Sequence, residues 1–304
     1  MIELLGSELL RFRSRRLVLV VFLVALVVAA IAAVIAGIQS TPPGAAALAK
    51  AHAQAEQEYQ NCLSGPWTEE ELQGLSLEEF CRENFGNPAF YAPSHLALVD
   101  LPGFLEGAAS MTSIIGLVLG ASAMAVSWQT GTINTILTWE PRRVRWYAAR
   151  IAVAVWGAFV VVLGILVFLS LSLAAAAWLR GSTAGLDSAW WWDVTATLLR
   201  ISVVAAIAAA IGGGLAAVGR HTSAALGVVF VWTAVLEGLI RGLRPQWTPW
   251  LLGDNIVQFL SWQAGSTVSS SIVLTPVRAT FVILGYTAVA FLLGLAVVRA
   301  RDVQ

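Results

Sequence analysis

Charge is scarce in this chain: 12% of its 304 residues are charged, against 58% hydrophobic. A soluble domain carries about a quarter charged residues, so the balance identifies an integral membrane protein. Cysteine is scarcer still, with Cys62 and Cys81 both in the longest polar segment. The three histidines, His52, His95 and His221, form no ligand-spaced cluster, and two thiols do not complete a zinc or haem site. No metal or cofactor is therefore expected on this chain. A GxxxxGK(S/T) phosphate loop is missing, which excludes ATP binding of that kind. The run Gly212-Gly213-Gly214 sits in an apolar helix with no strand before it, so it implies no dinucleotide. No Ser/His/Asp or Cys/His arrangement and no paired carboxylates within an apolar run are present. An intramembrane protease or lipid-modifying enzyme needs such groups, so no catalytic residue is assigned.

Six apolar runs are present, at residues 17–38, 103–128, 151–178, 194–218, 224–240 and 278–298. The first, at 22 residues, is long enough to cross a bilayer. It exceeds the apolar core of about 7–15 residues in a signal peptide, which favours an uncleaved span. Before it, Leu5, Leu9 and Phe12 recur at helical spacing, with Glu3 and Glu8 early and Arg11 to Arg16 late, the order that suits the helix dipole. This predicts an interfacial helix. The expected fold class is all-α: a single six-span transmembrane domain over residues 1–304.

Residues 39–102 are polar, acidic and long. A helix is expected over 46–62, and Thr68 with Glu71 and Ser76 with Glu79 form two capping boxes that start further short helices. The segment thus reads as a small folded cap. A Cys62–Cys81 disulfide would contribute on the order of 3 kcal/mol and needs an oxidising compartment; two free buried thiols are the alternative. Residues 241–277 carry Pro245, Pro249, Gly253, Gly265 and Pro276 between tryptophans. The stretch is too broken to span and too apolar for a free loop, which predicts short re-entrant helices at the outer face.

Sidedness follows from arginine. Arg11, Arg13, Arg15, Arg16, Arg142, Arg143, Arg145, Arg150, Arg220, Arg299 and Arg301 are eleven of the eighteen basic residues, and they fall on one side when the N-terminus is placed inside. Most acids fall on the cap. The positive-inside rule then puts both termini and the 129–150 loop in the cytoplasm of a plasma-membrane protein.

That loop, QTGTINTILTWEPRRVRWYAAR, is the most informative stretch. Ile133, Ile136 and Leu137 follow helical spacing, opposite Thr132, Asn134, Thr135 and Thr138, and Pro141 stops the helix. Either an amphipathic helix lies flat on the membrane beside a basic collar, or this is an ordinary positive-inside loop. The Glu140-Pro141 stop favours the helix. Near the other boundary, Glu237 and Arg241 are four apart and can satisfy each other, with conduit lining as the second reading. Arg200 has no evident partner in sequence and is a further conduit or gate candidate.

The interruption is similar to the cytoplasmic loop of ABC-2 type permeases, the membrane subunits of ABC exporters. The matching features are Gly131-Thr132, Leu137, Pro141 with Arg142 and Arg143, and Arg150 opening the third span where the family often has lysine. The basic N-terminal helix and the ending Arg299-Ala-Arg301-Asp302 also resemble that family. Topology matches over the whole chain, the motif over about twenty-five residues. Ser127 stands where the family usually has an acid, and the cap is larger than in many members. The resemblance implies a separate cytoplasmic ATPase in two copies, which carries ATP and Mg, and a second permease copy, identical or related. It also implies a conduit lined by spans two and five. Coupling to the ATPase would then rest on Thr132, Asn134, Thr135, Glu140, Arg142 and Arg143, with Glu140 equally readable as a helix-end residue. No nucleic-acid partner is implied. The alternative class is a membrane scaffold or assembly protein whose cap binds a partner.

Overall fold

The computed structural model describes residues 2–41, 44–68, 72, 76–93, 95–133, 142–262, 267–269, 272–273 and 275–300. The chain is helical nearly throughout, and six of its helices are long and apolar enough to cross a membrane. Helix α1 (Ile2–Arg13) leads into α2 (Arg16–Gln39); α3 (Ala45–Leu63) and α4 (Leu77–Asn84) belong to the cap. Then come α5 (Leu101–Gln129), α6 (Arg143–Arg180) and α7 (Ser188–Gly219). The next apolar helix is built from α8 (Thr222–Phe230), a π-helical stretch Val231–Leu236 and α9 (Glu237–Leu243). A 3-10 segment (Pro245–Trp250), α10 (Leu252–Ser261) and α11 (Pro276–Ala300) complete it.

Each predicted run lies within one of the six long helices, because about twenty apolar residues leave the backbone no solvent partner and an α-helix satisfies it internally. Two details go beyond the sequence expectations. Helix α6 starts at Arg143, ahead of the apolar run that opens at Ile151, and takes in residues 143–150 of the 129–150 interruption. Nothing between Arg143 and Arg150 breaks a helix, and Trp146, Tyr147 and Arg150 are all buried there. The 241–277 segment holds short helices as expected, the 3-10 segment and α10, and in addition Thr267–Ser269 pairs antiparallel with Ile272–Val273.

Contacts divide the chain into two compact units. The first comprises Met1–Ala29, Leu101–Ser170 and Asp187–Gln304. Within it α7 is central and packs most widely against α5, then against α11. Small residues permit this: a Cβ at Gly116 or Gly120 would overlap the carbonyl oxygens of Ala205 or Ala209, and one at Gly214 that of Ala290. Gly116-x-x-x-Gly120 thus sits at a real helix interface, where close backbone approach replaces the hydrophobic effect that lipid does not supply.

The second unit comprises Ala30–Asp100 and Leu171–Leu186. Helix α3 spans the predicted cap helix, and Cys62 on it is disulfide-bonded to Cys81 on α4, with Cα atoms 5.7 Å apart. Trp67 packs between them, donating Nε1–H to the Cys62 carbonyl at 2.6 Å and meeting Phe80 edge-on at 5.1 Å between centroids. The Ser76 capping box is formed: the Glu79 amide donates to Ser76 Oγ at 3.3 Å, and Ser76 Oγ donates to the Glu79 carboxylate at 3.1 Å. The Thr68 box reaches Glu71, which lies outside the described residues. Ser40 joins the remaining pieces, accepting from the Leu96 amide at 2.9 Å and donating to the Arg180 carbonyl at 2.8 Å.

Candidate functional site

The site is the base of the polar interruption, where α5 ends and α6 begins. Gly131 takes a left-handed φ of +68°, the conformation that ends a helix after its last turn and that glycine adopts without strain. Thr132 and Ile133 then resume helical backbone, and the hydroxyls of Thr130 and Thr132 lie 3.0 Å apart. Gly131-Thr132 is therefore a helix stop followed by a restart. Ile133 is buried beside Trp146, Tyr147 and Ile151. Asn134, Thr135 and Glu140 lie outside the described residues. Arg142 is exposed, and its carbonyl accepts from the Arg145 and Trp146 amides at the head of α6. Arg143 stands in the first turn. Arginines at a helix N-terminus oppose the dipole by about 0.3–1 kcal/mol each, a local conflict of the kind that marks a functional position.

Arg150 is the pivot. It is 4% exposed, and Nε donates to the Ala123 carbonyl of α5 at 2.8 Å. Its Nη1 lies 3.8 Å from the Glu8 carboxylate of α1, and its guanidinium stands 5.3 Å from the Trp146 ring centre. Glu8 is itself buried and accepts from Arg11 at 3.0 Å. Arg15 adds a second tie, donating to the Ser122 and Ala123 carbonyls at 3.0 and 3.3 Å. Burial pushes the Arg15 guanidinium below its ordinary value, with Glu8 opposing that shift and Arg11 adding to it. An arginine so shifted still carries its proton at any physiological pH.

Ser127, one turn beyond Ala123, is 1% exposed and its hydroxyl has no hydrogen-bond partner among the described residues. A helical serine ordinarily bonds to the carbonyl four residues back, which here is Ala123, already taken by Arg150 and Arg15. The carboxylate that faces Arg150 is that of Glu8 on α1.

Three further ties surround the interruption. Arg220, in a left-handed conformation after α7, stacks its guanidinium 4.7 Å from the Trp128 ring centre. Gln129 Nε2 lies 3.2 Å from His221 Nδ1. Tyr147 donates its hydroxyl to the Phe291 carbonyl on α11 at 3.0 Å. Both flanks of the interruption are thus attached to α1, to the α7–α8 turn and to α11.

The other two candidates lie elsewhere. Glu237, 1% exposed, accepts from the Leu252 amide at 2.8 Å and the Gly253 amide at 3.1 Å, with Arg241 at 3.6 Å and Asp254 on the far side of Arg241 at 3.1 Å. It binds the first turn of α10 as an N-terminal carboxylate cap from another helix. Arg200 does have partners: the Leu260 carbonyl and, at 3.7 Å, Asp193. With Trp192, Phe259 and Trp262 it lines a cavity of about 600 Å³.

Sequence reasoning missed Glu8, Arg15 and Tyr147. Only the order of acids and bases along α1 signalled the first two, and that order is the same for an exposed helix. Among the described residues no cluster of His, Cys, Asp and Glu is arranged to hold a metal. Compared with the models of known protein families and with curated proteins, the chain matches none of them.

Proposed function

We propose that this chain is the permease subunit of an ABC exporter of the ABC-2 type, with its termini and polar interruption in the cytoplasm and its disulfide-bonded cap outside. The observation that carries the reading is Arg150 buried at the base of the interruption, tied to α5 through Ala123 and to α1 through Glu8. A push on the interruption by a partner would therefore move α1, α5 and α6 together rather than bend a free loop. ATP and Mg would be bound by a separate ATPase, two copies per transporter, acting on two permeases, identical or related. This chain contributes no catalytic group. Coupling to the ATPase would rest on Thr132, Asn134, Thr135, Glu140, Arg142 and Arg143, and α5 with the Thr222–Leu243 helix would line the conduit.

Purification of the full chain from its native membrane in mild detergent tests this. A near-stoichiometric ATPase is expected with the wild type and is lost with Glu140→Lys. Glu140→Lys or Arg142→Glu is expected to abolish ATP-dependent transport while membrane insertion is unchanged. No ATPase under conditions that keep other transporters intact would overturn the reading. It would favour a second one, a scaffold whose cap binds a partner, which the separate, disulfide-closed second unit supports.

A further inference from the structure

An apolar cleft of about 450 Å³ lies in the first unit, where α1 and the start of α2 run past α6. The rings of Phe12 and Phe22 lie against Gly157 and Gly164 of α6; a Cβ at Gly157 would overlap the Phe12 ring, and one at Gly164 would stand 3.4 Å from Phe22. Trp156 borders the cleft, 60% exposed and stacked on Phe159. Cleft and rim are apolar except at one end, where Arg13 joins the lining. Four arginines fall within six residues there, but they are not equivalent. Arg11 is paired with Glu8 and Arg15 is spent on the α5 carbonyls. Arg13 and Arg16 are exposed and have no ion pair among the described residues.

An apolar cleft with the Arg13 guanidinium at one end, and the exposed Arg16 three residues further along the chain, fits a molecule with a long apolar tail and an anionic head. We propose that it holds an anionic phospholipid, an acyl chain lying along Phe12, Phe22 and Trp156 and the phosphate on Arg13 and Arg16. Clustered arginine beside a span attracts anionic headgroups, whereas a zwitterionic headgroup brings a cation into the same field. The inference is independent of the permease reading.

The test is native mass spectrometry of the purified full chain in mild detergent, with phosphatidylglycerol and phosphatidylcholine in competition. The wild type is expected to retain phosphatidylglycerol with a preference of about thirtyfold, as two guanidiniums at a membrane surface supply. The double variant Arg13→Gln/Arg16→Gln is expected to lose that preference. Val160→Trp, which fills the cleft from its exposed rim, is expected to weaken both lipids. Equal retention of the two lipids by the wild type overturns the proposal, and that arm depends on no variant folding. A preference that survives Arg13→Gln/Arg16→Gln, or binding unchanged by Val160→Trp, overturns it as well.

Discussion

Glu8 and Glu237, the two buried carboxylates among the described residues, are held in opposite ways. Glu8 faces guanidiniums, Arg11 at 3.0 Å and Arg150 at 3.8 Å. Glu237 faces backbone, the first two amides of α10, with Arg241 behind it. Amides at a helix start are fixed donors that need no further positioning. A guanidinium on a flexible stem needs its own anchor, and Arg150 finds one in the Ala123 carbonyl. The Glu237 end is therefore secured by secondary structure, and the end beside the polar interruption by long side chains that can exchange partners. Of the two, the second is suited to motion.

The largest expected effect breaks the side-chain end. Glu8→Ala leaves Arg150 buried beside no carboxylate, and loss of one partner from a buried pair costs about 3–5 kcal/mol. A large fall in Tm in detergent is expected, with hydrogen exchange rising along α1 while α10 stays protected. Replacing both partners, Glu8→Leu with Arg150→Met, is expected to recover most of that loss, since a buried pair is often no better than a well-packed apolar one. A single variant that melts with the wild type would show that α1 is held by Phe12 and its apolar neighbours alone.

Glu237→Ala is the counterpart, expected to cost about 2 kcal/mol for two amides left without their acceptor. Exchange should rise over Leu252–Ser261 and not along α1. Glu237→Gln keeps one carbonyl oxygen as acceptor and is expected to lose less than Glu237→Ala. Equal losses from the two would mean that charge, and not the hydrogen bonds, holds α10.

Legibility in the sequence follows the range of the interaction. The six long helices were readable because each sums a local property over about twenty residues. The Ser76 capping box was readable because its two residues lie three apart. The cysteine pair was readable because two thiols in one polar segment leave a single pairing. Glu8 was not: an acid near the start of an amphipathic helix suits the dipole whether it is exposed or buried, and only folding brings Arg150 to it. Arg200 looked unpartnered because its partners are a backbone carbonyl and an aspartate seven residues back, beyond the three-and-four spacing by which helical pairs are sought. The pairing of 267–269 with 272–273 had a weak local signal in Val268 and Ile272-Val273, hidden by Gly265 and the surrounding serines. In the interruption, Gly131 and the arginines were legible by type. That helix α6 begins at Arg143 was not, because the stabilising partners of Trp146, Tyr147 and Arg150 lie on other helices.

The smallest expected effect sharpens the comparison most. Arg241 is the residue that sequence pairing assigns to Glu237, yet its side chain is 44% exposed and shared with Asp254. Solvent screening reduces such a contact to about 1 kcal/mol or less. Arg241→Ala is therefore expected to lower Tm only slightly and to leave exchange over α10 nearly unchanged, because the amides of Leu252 and Gly253 still satisfy the carboxylate. A loss as large as that of Glu237→Ala would place the weight on the guanidinium, and both ends of the molecule would then be held by side-chain charge.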